Sequence, residues 1–164
     1  MQIEAICNQA LDLVGYKRHI GSIWDGSAAA RIALNAWGET RDALLAARNW
    51  EWARSEAVLV ASGTPPSPWT HKYAYPKDVI KLLQVRPGTV VLNDPTPVVW
   101  RDFTDGTTSY ILTHLSPAVA VFTVRMRDPF TWEVDFTELM VRGLAEKFRG
   151  ALEAVPQKRE AQQQ

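Results

Sequence analysis

Histidine, a frequent acid–base catalyst and metal ligand, occurs only three times in this chain, and the three residues are scattered. His19, His71 and His114 lie far apart, and no two of them have the spacing of metal ligands. The sequence has no glycine-rich phosphate loop, no nucleophile elbow and no His-Glu-x-x-His motif. These patterns predict a protein without catalytic residues, a metal site or a cofactor.

Glu51 is the nearest candidate for chemistry, because it stands between Trp50 and Trp52. A carboxyl group enclosed by aromatic rings suits the acid–base cleavage of a glycosidic bond, which needs a second carboxyl group on the other side of the bond. Carboxylates are plentiful, so the sequence leaves this possibility open. We favour the simpler interpretation, in which Glu51 is exposed and the two tryptophans pack into the core on opposite faces.

The segment from Trp69 to Lys81 mixes aromatic and basic residues, and it is the second candidate surface. Such a surface can stack the bases of single-stranded nucleic acid. Against this, 18 basic and 18 acidic residues give a formal net charge of zero, so no general attraction to phosphates is expected. We therefore expect Trp69, Tyr73 and Tyr75 to pack onto the helices or onto a neighbouring subunit.

The composition is that of an ordinary globular protein, with 46% apolar and 22% charged residues in a chain of 164. No apolar run approaches the roughly 20 residues of a membrane helix, and the N-terminus lacks a signal-peptide layout. We therefore expect a soluble protein made in the cytosol. Cys7 is the only cysteine, and because it lies among apolar residues at helical spacing, we expect a buried, unreactive thiol.

The spacing of apolar residues predicts three helices, at about 2–14, 28–48 and 130–154. The apolar stripe of the second helix is rich in alanine, and Trp37 and Leu44 supply most of its buried area. Alanine and leucine dominate this helix and no proline interrupts it, so its intrinsic helix propensity is high.

The helix ends carry recognisable signals. Asp25 or Ser27 can cap the second helix. Gly15 is placed to close the first helix in a left-handed turn. Asp128 can cap the last helix, with Pro129 at its first position.

The region from about 57 to 127 is rich in proline and turn residues, which exclude long helices there. Four strands are predicted in it, at Val79–Val85, Pro97–Phe103, Ser109–Thr113 and Ala118–Met126. Asp105-Gly106 predicts a hairpin between the second and third of these strands. The last strand is apolar on both faces, so we expect it to be central in a sheet.

Together these patterns predict an α+β fold: a small antiparallel helix bundle with an inserted, mostly antiparallel β-section and an extended C-terminal tail. The bundle and the β-section are expected to form one domain over residues 1–153. Residues 154–164 are expected to form the tail, because they are too polar to bury against the domain.

Three segments stand in a defined order along the chain. The first is the alanine-rich helix followed by Arg41-Asp42-x-Leu44-Leu45 and Asn49-Trp50-x-Trp52-Ala53. The second is Trp69-x-x-Lys72-Tyr73-x-Tyr75-Pro76-x-Asp78. The third is Asp128-Pro129 followed by Phe136 and Leu144-Ala145. These segments together span roughly Ala5 to Leu152, and they resemble the tail tubular protein A family, the head-to-tail adaptor proteins of short-tailed bacteriophages.

The resemblance implies a structural virion protein rather than an enzyme. Members of that family form a dodecameric ring under the portal, which extends the DNA channel and carries the tail nozzle. The implied partners are other copies of the chain, the portal protein, the nozzle protein and packaged DNA in non-specific contact, with no membrane. The implied location is the head–tail junction of the virion, after assembly in the host cytoplasm. Two alternatives stay open: a virion-associated cell-wall hydrolase that uses Glu51, and a DNA-binding module.

The resemblance also implies roles for particular residues. In related adaptors the closing helix and tail grip the portal, and the matching residues here are Phe148, Arg149, Leu152, Val155, Lys158 and Arg159. The residues expected to face DNA in a ring channel are Lys17 and Arg18. The core and fold signature consists of Trp37, Leu44, Trp50, Trp52 and Tyr75.

Overall fold

The computed structural model describes residues 1–88 and 98–154, which form three α-helices, six β-strands and two short 3-10 turns. The helices are α1 (Ile3–Leu13), α2 (Ala28–Ala47) and α3 (Val134–Glu153). The strands are β1 (Arg54–Val58), β2 (His71–Ala74), β3 (Val79–Pro87), β4 (Trp100–Thr104), β5 (Ser109–Thr113) and β6 (Ala118–Val124). The predicted α+β class, with antiparallel strands inserted between helices, is confirmed.

The chain divides into two compact units. The helical unit consists of Met1–Ala47 and the chain from Met126 onward, and the β-unit consists of Arg48–Arg125. In the helical unit, α3 packs against both α1 and α2. The β-unit contains two three-stranded antiparallel sheets, with strand orders β1-β6-β3 and β2-β5-β4. No helix in the described ranges has the combination of length and apolar character that would let it cross a membrane.

The end of α1 follows the prediction, because the chain closes the helix in a left-handed turn at Gly15 (φ 74°). The Gly15 N–H donates to the carbonyl of Asp12, and the Tyr16 N–H donates to that of Leu11, both at 3.0 Å. These two hydrogen bonds satisfy carbonyl groups that the helix itself leaves without partners. Glycine suits this position because it adopts a positive φ without strain.

Ser27 caps α2, since its Oγ accepts a hydrogen bond from the Ala30 N–H at 3.2 Å. Asp25 stabilises the turn before the cap, because its Oδ1 accepts from the Ser27 N–H at 2.9 Å. Hydrogen bonds from the side chain and the N–H of Ser27 lower the pKa of Asp25. Of the two predicted caps, Ser27 is therefore the helix cap, and Asp25 supports it.

The core of the helical unit comes from the apolar faces of all three helices. Its fully buried side chains include Ile6, Leu11, Leu45, Phe136, Met140, Leu144 and Phe148. Cys7 is also completely buried. Burial, together with the nearby charge of Glu4, raises the pKa of the Cys7 thiol to about 12, and the predicted burial of this thiol is confirmed.

The predicted stripe of α2 is displaced by one position near its C-terminal end. Leu44 is only half-buried, whereas Leu45 is fully buried. Arg41 lies off the apolar stripe in the sequence, yet it is 7% exposed and its Nε donates to Asp42 Oδ1 at 2.8 Å. Trp37 is buried as predicted. The displacement arises because alanines lie all round this helix, so the sequence gives little contrast between its faces.

α3 begins later than the predicted residue 130. Asp128 does act as a cap, with its Oδ1 accepting from the Phe130 N–H at 3.0 Å, but it caps a 3-10 turn at Pro129–Thr131. Trp132 then has an extended backbone, and the α-helix starts only after Glu133, which makes no side-chain cap bond. The extended backbone lets the indole of Trp132 pack against side chains of the helical unit. The α-helix therefore begins later than the local sequence predicts.

Two features of the β-unit follow the prediction. β6 is central in its sheet, between β1 and β3, and its residues from Ala118 to Thr123 are buried. The hairpin at Asp105-Gly106 is present, because β4 pairs with β5 and places Thr104 opposite Ser109. β1 and β2 were not predicted as strands, because β1 is mostly polar and β2 has only four residues.

The two sheets share one hydrophobic core. It contains Leu59, Tyr73, Val85, Ile111, Ala118, Ala120 and Phe122, which come from both sheets and the chain after β1. That chain joins the sheets, because the Leu59 N–H donates to Ala118 at 2.9 Å while the Ser62 N–H donates to Lys72 at 2.9 Å. A chain that bonds first to one sheet and then to the other makes a corner of the kind found in packed β-sandwiches.

Candidate interaction surfaces

The three histidines make separate local contacts. These are His19 with Asp12 at 2.6 Å, His71 with Tyr73 at 5.9 Å between ring centroids, and His114 with Trp69 at 4.9 Å between ring centroids. Within residues 1–88 and 98–154, no group of three or more His, Cys, Asp or Glu side chains could hold a metal ion. The structure therefore does not bring the histidines together into one site.

Glu51 lies at the surface, in the 3-10 turn that precedes β1. Its side chain is 81% exposed, and its Oε1 lies 3.8 Å from Arg54 Nη1. Trp50 is buried and Trp52 half-buried, and the two rings meet edge to face with centroids 6.0 Å apart. The predicted exposure of Glu51 is confirmed, but the tryptophans pack against each other rather than on opposite faces. Their rings do not enclose the carboxyl group.

Arg48 packs over the ring of Trp50. Its guanidinium carbon lies 3.6 Å from the centroid of the Trp50 ring, which is the geometry of a cation–π contact. The signature residues Trp50 and Trp52 therefore serve packing at the start of the β-unit.

The aromatic and basic segment around β2 is engaged within the β-unit. Lys72 Nζ lies 3.9 Å from the centroid of Tyr110. Tyr73 is buried, and its hydroxyl donates to the carbonyl of Leu115 at 2.6 Å. Trp69 stacks on a histidine of the turn after β5. These contacts differ from the expectation that the aromatic residues pack onto the helices or onto a neighbouring subunit, because their partners belong to the β-unit itself.

A polar cleft of about 660 Å³ lies in the β-unit, lined by residues of β3 and β4 and by the chain before β3. At one side the hydroxyl of Tyr75 donates to the carboxylate of Asp102. At the other, Asp78 Oδ1 lies 3.3 Å from Arg125 Nη1. The Arg125 N–H also donates to the Asp78 carbonyl at 2.8 Å, which fixes the backbone of Asp78 at φ 60°. The hydrogen bond to Asp102 gives Tyr75 a structural role where the chain enters β3.

An apolar groove of about 470 Å³ lies in the helical unit, beside the end of α1 and the start of α3. Its apolar lining consists of Met1, Leu13, Pro129, Phe130, Trp132, Val134 and Val141. Leu13 is 58% exposed, Phe130 69% and Val134 72%. Apolar side chains gathered at the surface in this way are typical of a site of association with another protein. We refer to this site below as the apolar groove.

Three of the residues that the resemblance assigned to a portal contact lie in α3. Phe148 is fully buried, so its side chain is not available for the portal contact that the resemblance implied for it. α1 and α2 both pack on α3, and together they provide its buried face. Arg149 is exposed and Leu152 is half-buried. The remaining expected residues, Val155, Lys158 and Arg159, lie outside the described residues.

Lys17 and Arg18 are both exposed in the loop between α1 and α2. Further along the same loop, Trp24 is 78% exposed, the highest value among the large apolar residues of the described ranges. Neither Trp24 nor the apolar groove was predicted from the sequence. Periodicity assigns Leu13 to the buried stripe of the first helix together with Ala10, but Ala10 is fully buried and Leu13 is exposed in the folded chain.

No protein-family model matches the chain, and no curated protein matches it either. The functional interpretation therefore depends on the surfaces described above and on the three segments that resemble the adaptor family.

Proposed function

We propose that this chain is a structural head-to-tail adaptor of a short-tailed bacteriophage. Copies of it form a ring, a dodecamer by family resemblance, that joins the portal to the tail nozzle and extends the DNA channel. The protein acts at the head–tail junction of the virion after assembly in the host cytoplasm. The observation that carries the proposal is the order and spacing of three aromatic-rich and helical segments along the chain.

The positions of these segments in the fold support the proposal. The first segment contributes Trp37 and Leu45 to the helical core. The second contributes Tyr73 to the core of the β-unit, and the third contributes Phe136 and Leu144 to the helical core. These five residues of the resembling segments thus belong to the cores of the two units.

The apolar groove supports self-assembly. In a monomer, the exposed side chains of Leu13, Phe130 and Val134 leave apolar area in contact with water, and this contact is unfavourable in free energy. A subunit of a ring needs two different contact surfaces, one for each neighbour, and burial of such a groove stabilises the contact.

The end of α3 supplies the proposed portal contact. Exposed Arg149 can pair with an acidic group of the portal, and half-buried Leu152 can bury its remaining apolar area there. The residues that follow, including Lys158 and Arg159, extend the same contact by their charge. Phe148 is excluded from this contact set, because it is a core residue.

The proposal is tested by mixing the purified protein with DNA-filled heads that carry their own portal. Electron microscopy should show an added ring beneath the portal, and the protein should sediment with the heads. The variant Arg149→Glu, which alters an exposed side chain, and the chain lacking residues 154–164 should keep their melting temperature and lose attachment. Arg31→Glu, an exposed arginine of α2, is the matched control and should attach like wild type.

Two outcomes would count against this proposal. Wild-type protein that stays in the supernatant, with no ring density on the heads, would rule out the adaptor role. Attachment at wild-type levels by both altered forms would move the portal contact away from the end of α3.

Contact with packaged DNA is expected to be weak and independent of sequence, because a channel that held phosphates tightly would impede ejection. Exposed Lys17 and Arg18 are the residues we assign to this contact. Binding of duplex DNA should weaken steeply with added salt, and the variant Lys17→Glu/Arg18→Glu should reduce it. Sequence-specific binding at physiological salt would instead favour the DNA-binding module.

A further inference from the structure

The loop between α1 and α2 holds Trp24 in a fixed position at the surface. Ile20 and Ile23, on the N-terminal side of Trp24, are 3% and 6% exposed, so the loop is anchored in the core. The side chain of Asn8 binds Ile20 twice, accepting from its N–H at 2.9 Å and donating to its carbonyl at 3.0 Å. Glu4 Oε1 accepts from the Ile23 N–H at 3.3 Å, so α1 holds the loop at both isoleucines.

The backbone at Trp24 is itself hydrogen-bonded. The Trp24 N–H donates to Ser22 Oγ at 3.1 Å, and the Asp25 N–H donates to the Ser22 carbonyl at 3.1 Å. Trp24 is nevertheless 78% exposed. A large apolar side chain on a well-held loop loses little conformational freedom when it binds, and that favours its use as an anchor in a protein contact.

Trp24 is not among the residues that line the apolar groove, although both features belong to the helical unit. The chain therefore carries an exposed aromatic side chain in addition to an exposed apolar groove that does not include it. The polar residues of the groove, Thr137 and Glu138, provide oxygen atoms that can accept a hydrogen bond from an indole N–H.

We propose that the apolar groove of one copy binds Trp24 of a second copy of this chain. This inference rests on the proposed ring and names the contact that would build it. Because the two surfaces differ, the contact is head-to-tail, and repeating it gives a closed ring or an open filament. Burying one tryptophan removes roughly 150–250 Å² from water, and the residues around the groove supply the rest of the interface.

The contact is tested by the mass of the full chain in sedimentation velocity at rising concentration, up to about 1 mM, where even weak association is detected. Wild type should form species larger than a dimer. Trp24→Ala and Val134→Arg should each weaken association by about 30-fold or more, the loss expected at an interface hot spot. Both substitutions alter exposed side chains, so thermal melts should match wild type.

Mixing the two variants gives the sharper result. Trp24→Ala keeps a working groove, and Val134→Arg keeps a working tryptophan. A head-to-tail contact therefore predicts that an equal mixture forms a one-to-one dimer that does not grow further. Val60→Arg is the matched control, because Val60 is 71% exposed against 72% for Val134 and lies outside the groove, and it should associate like wild type.

Three results would each rule out this contact. The first is a wild-type chain that stays monomeric over the whole concentration range. The second is a Val134→Arg variant that associates like wild type, and the third is a mixture of the two variants that stays monomeric. The head-attachment assay separates this contact from the proposed function. Attachment as a complete ring by the Trp24→Ala variant would remove the contact and leave the adaptor role standing. Self-association through Trp24 without attachment to heads would support the contact and count against the adaptor role.

Discussion

Trp37 of α2 and Trp132, in the turn before α3, stack with ring centroids 5.6 Å apart and an interplanar angle of 20°. Trp132 also meets Phe136 edge to face at 4.9 Å, and its indole N–H donates to the Met126 carbonyl at 2.9 Å. Both tryptophans are 8% exposed. The pair links α2 to the chain that enters α3.

Replacing Trp37 should therefore destabilise the helical unit. Trp37→Ala is expected to cost about 3–5 kcal/mol of unfolding free energy, because it leaves a large cavity beside Trp132. A double-mutant cycle with Trp37→Leu and Trp132→Leu should give a coupling energy of about 0.5–1.5 kcal/mol, the value of a stacked aromatic pair. Urea denaturation of the four proteins measures both quantities, and additive losses would mean that the rings do not interact.

The displaced stripe of α2 gives a second prediction. Leu45→Ala should cost about 2–5 kcal/mol, because Leu45 is fully buried, and Leu44→Ala should cost distinctly less, because Leu44 is half-buried. The two residues are adjacent and chemically identical, so each is the control for the other. Urea melts that rank Leu44 above Leu45 would restore the stripe expected from the sequence.

Much of the fold could be predicted because local chemistry determines it. Gly15 closes α1, Ser27 caps α2 and Asp105-Gly106 turns the β4–β5 hairpin through interactions among residues close in sequence. The start of α3 could not be predicted, because the extended backbone of Trp132 depends on a partner in another helix. The polar strand β1 was missed for a related reason, since pairing with β6 and not its own composition makes it a strand.

The surfaces were harder to predict than the fold. The sequence indicates that Cys7 is buried, and it is. It cannot indicate that Phe148 is covered while Leu13 is exposed, because both are apolar residues at helical spacing and only the arrangement of the three helices separates them. Trp24 has no periodic pattern around it, so its exposure becomes visible only in the folded chain.

The close approach of α2 and α3 gives a third prediction. A Cβ atom built on Gly143 would lie 2.8 Å from Thr40 Cγ2, closer than side chains tolerate. Gly143→Ala should therefore destabilise the protein by about 1–3 kcal/mol, although alanine is the better helix former. Thr40→Ser removes the methyl group in question, and it should recover part of the loss in the double variant.

Gly150 of α3 provides the matched control. A Cβ atom there would meet nothing within 4 Å, so Gly150→Ala should stabilise the protein by about 0.5–1 kcal/mol. Thermal and urea melts of both variants measure the difference. Equal effects at the two glycines would mean that the helices do not approach closely at Thr40.

The turn between β4 and β5 gives the last prediction, which concerns acid. Asp105 Oδ1 accepts from the Thr108 N–H at 2.8 Å, from the Thr107 N–H at 3.0 Å and from the Thr107 hydroxyl at 2.9 Å. The N–H groups of Thr108 and Thr107, followed by the Thr107 hydroxyl, lower the pKa of Asp105 from 3.8 to about 2. Because the folded pKa lies below the unfolded one, this contribution to stability is present above pH 3.8 and is lost as the pH falls towards 2.

NMR titration of the Asp105 carboxyl carbon should therefore give a midpoint of about 2 in the folded protein. Thr107→Ala removes one hydroxyl donor and keeps the N–H, so it should raise the pKa of Asp105 towards its ordinary value. Thr104→Val is the control in the same turn, because Thr104 Oγ1 accepts from the Gly106 N–H at 3.2 Å and makes no bond to the carboxylate. An upward shift in the Thr107 variant alone would show that hydrogen bonds to the ionised carboxylate hold this hairpin turn. A wild-type midpoint near 3.8, or the same shift in both variants, would mean that hydrogen bonds to the carboxylate do not stabilise the turn.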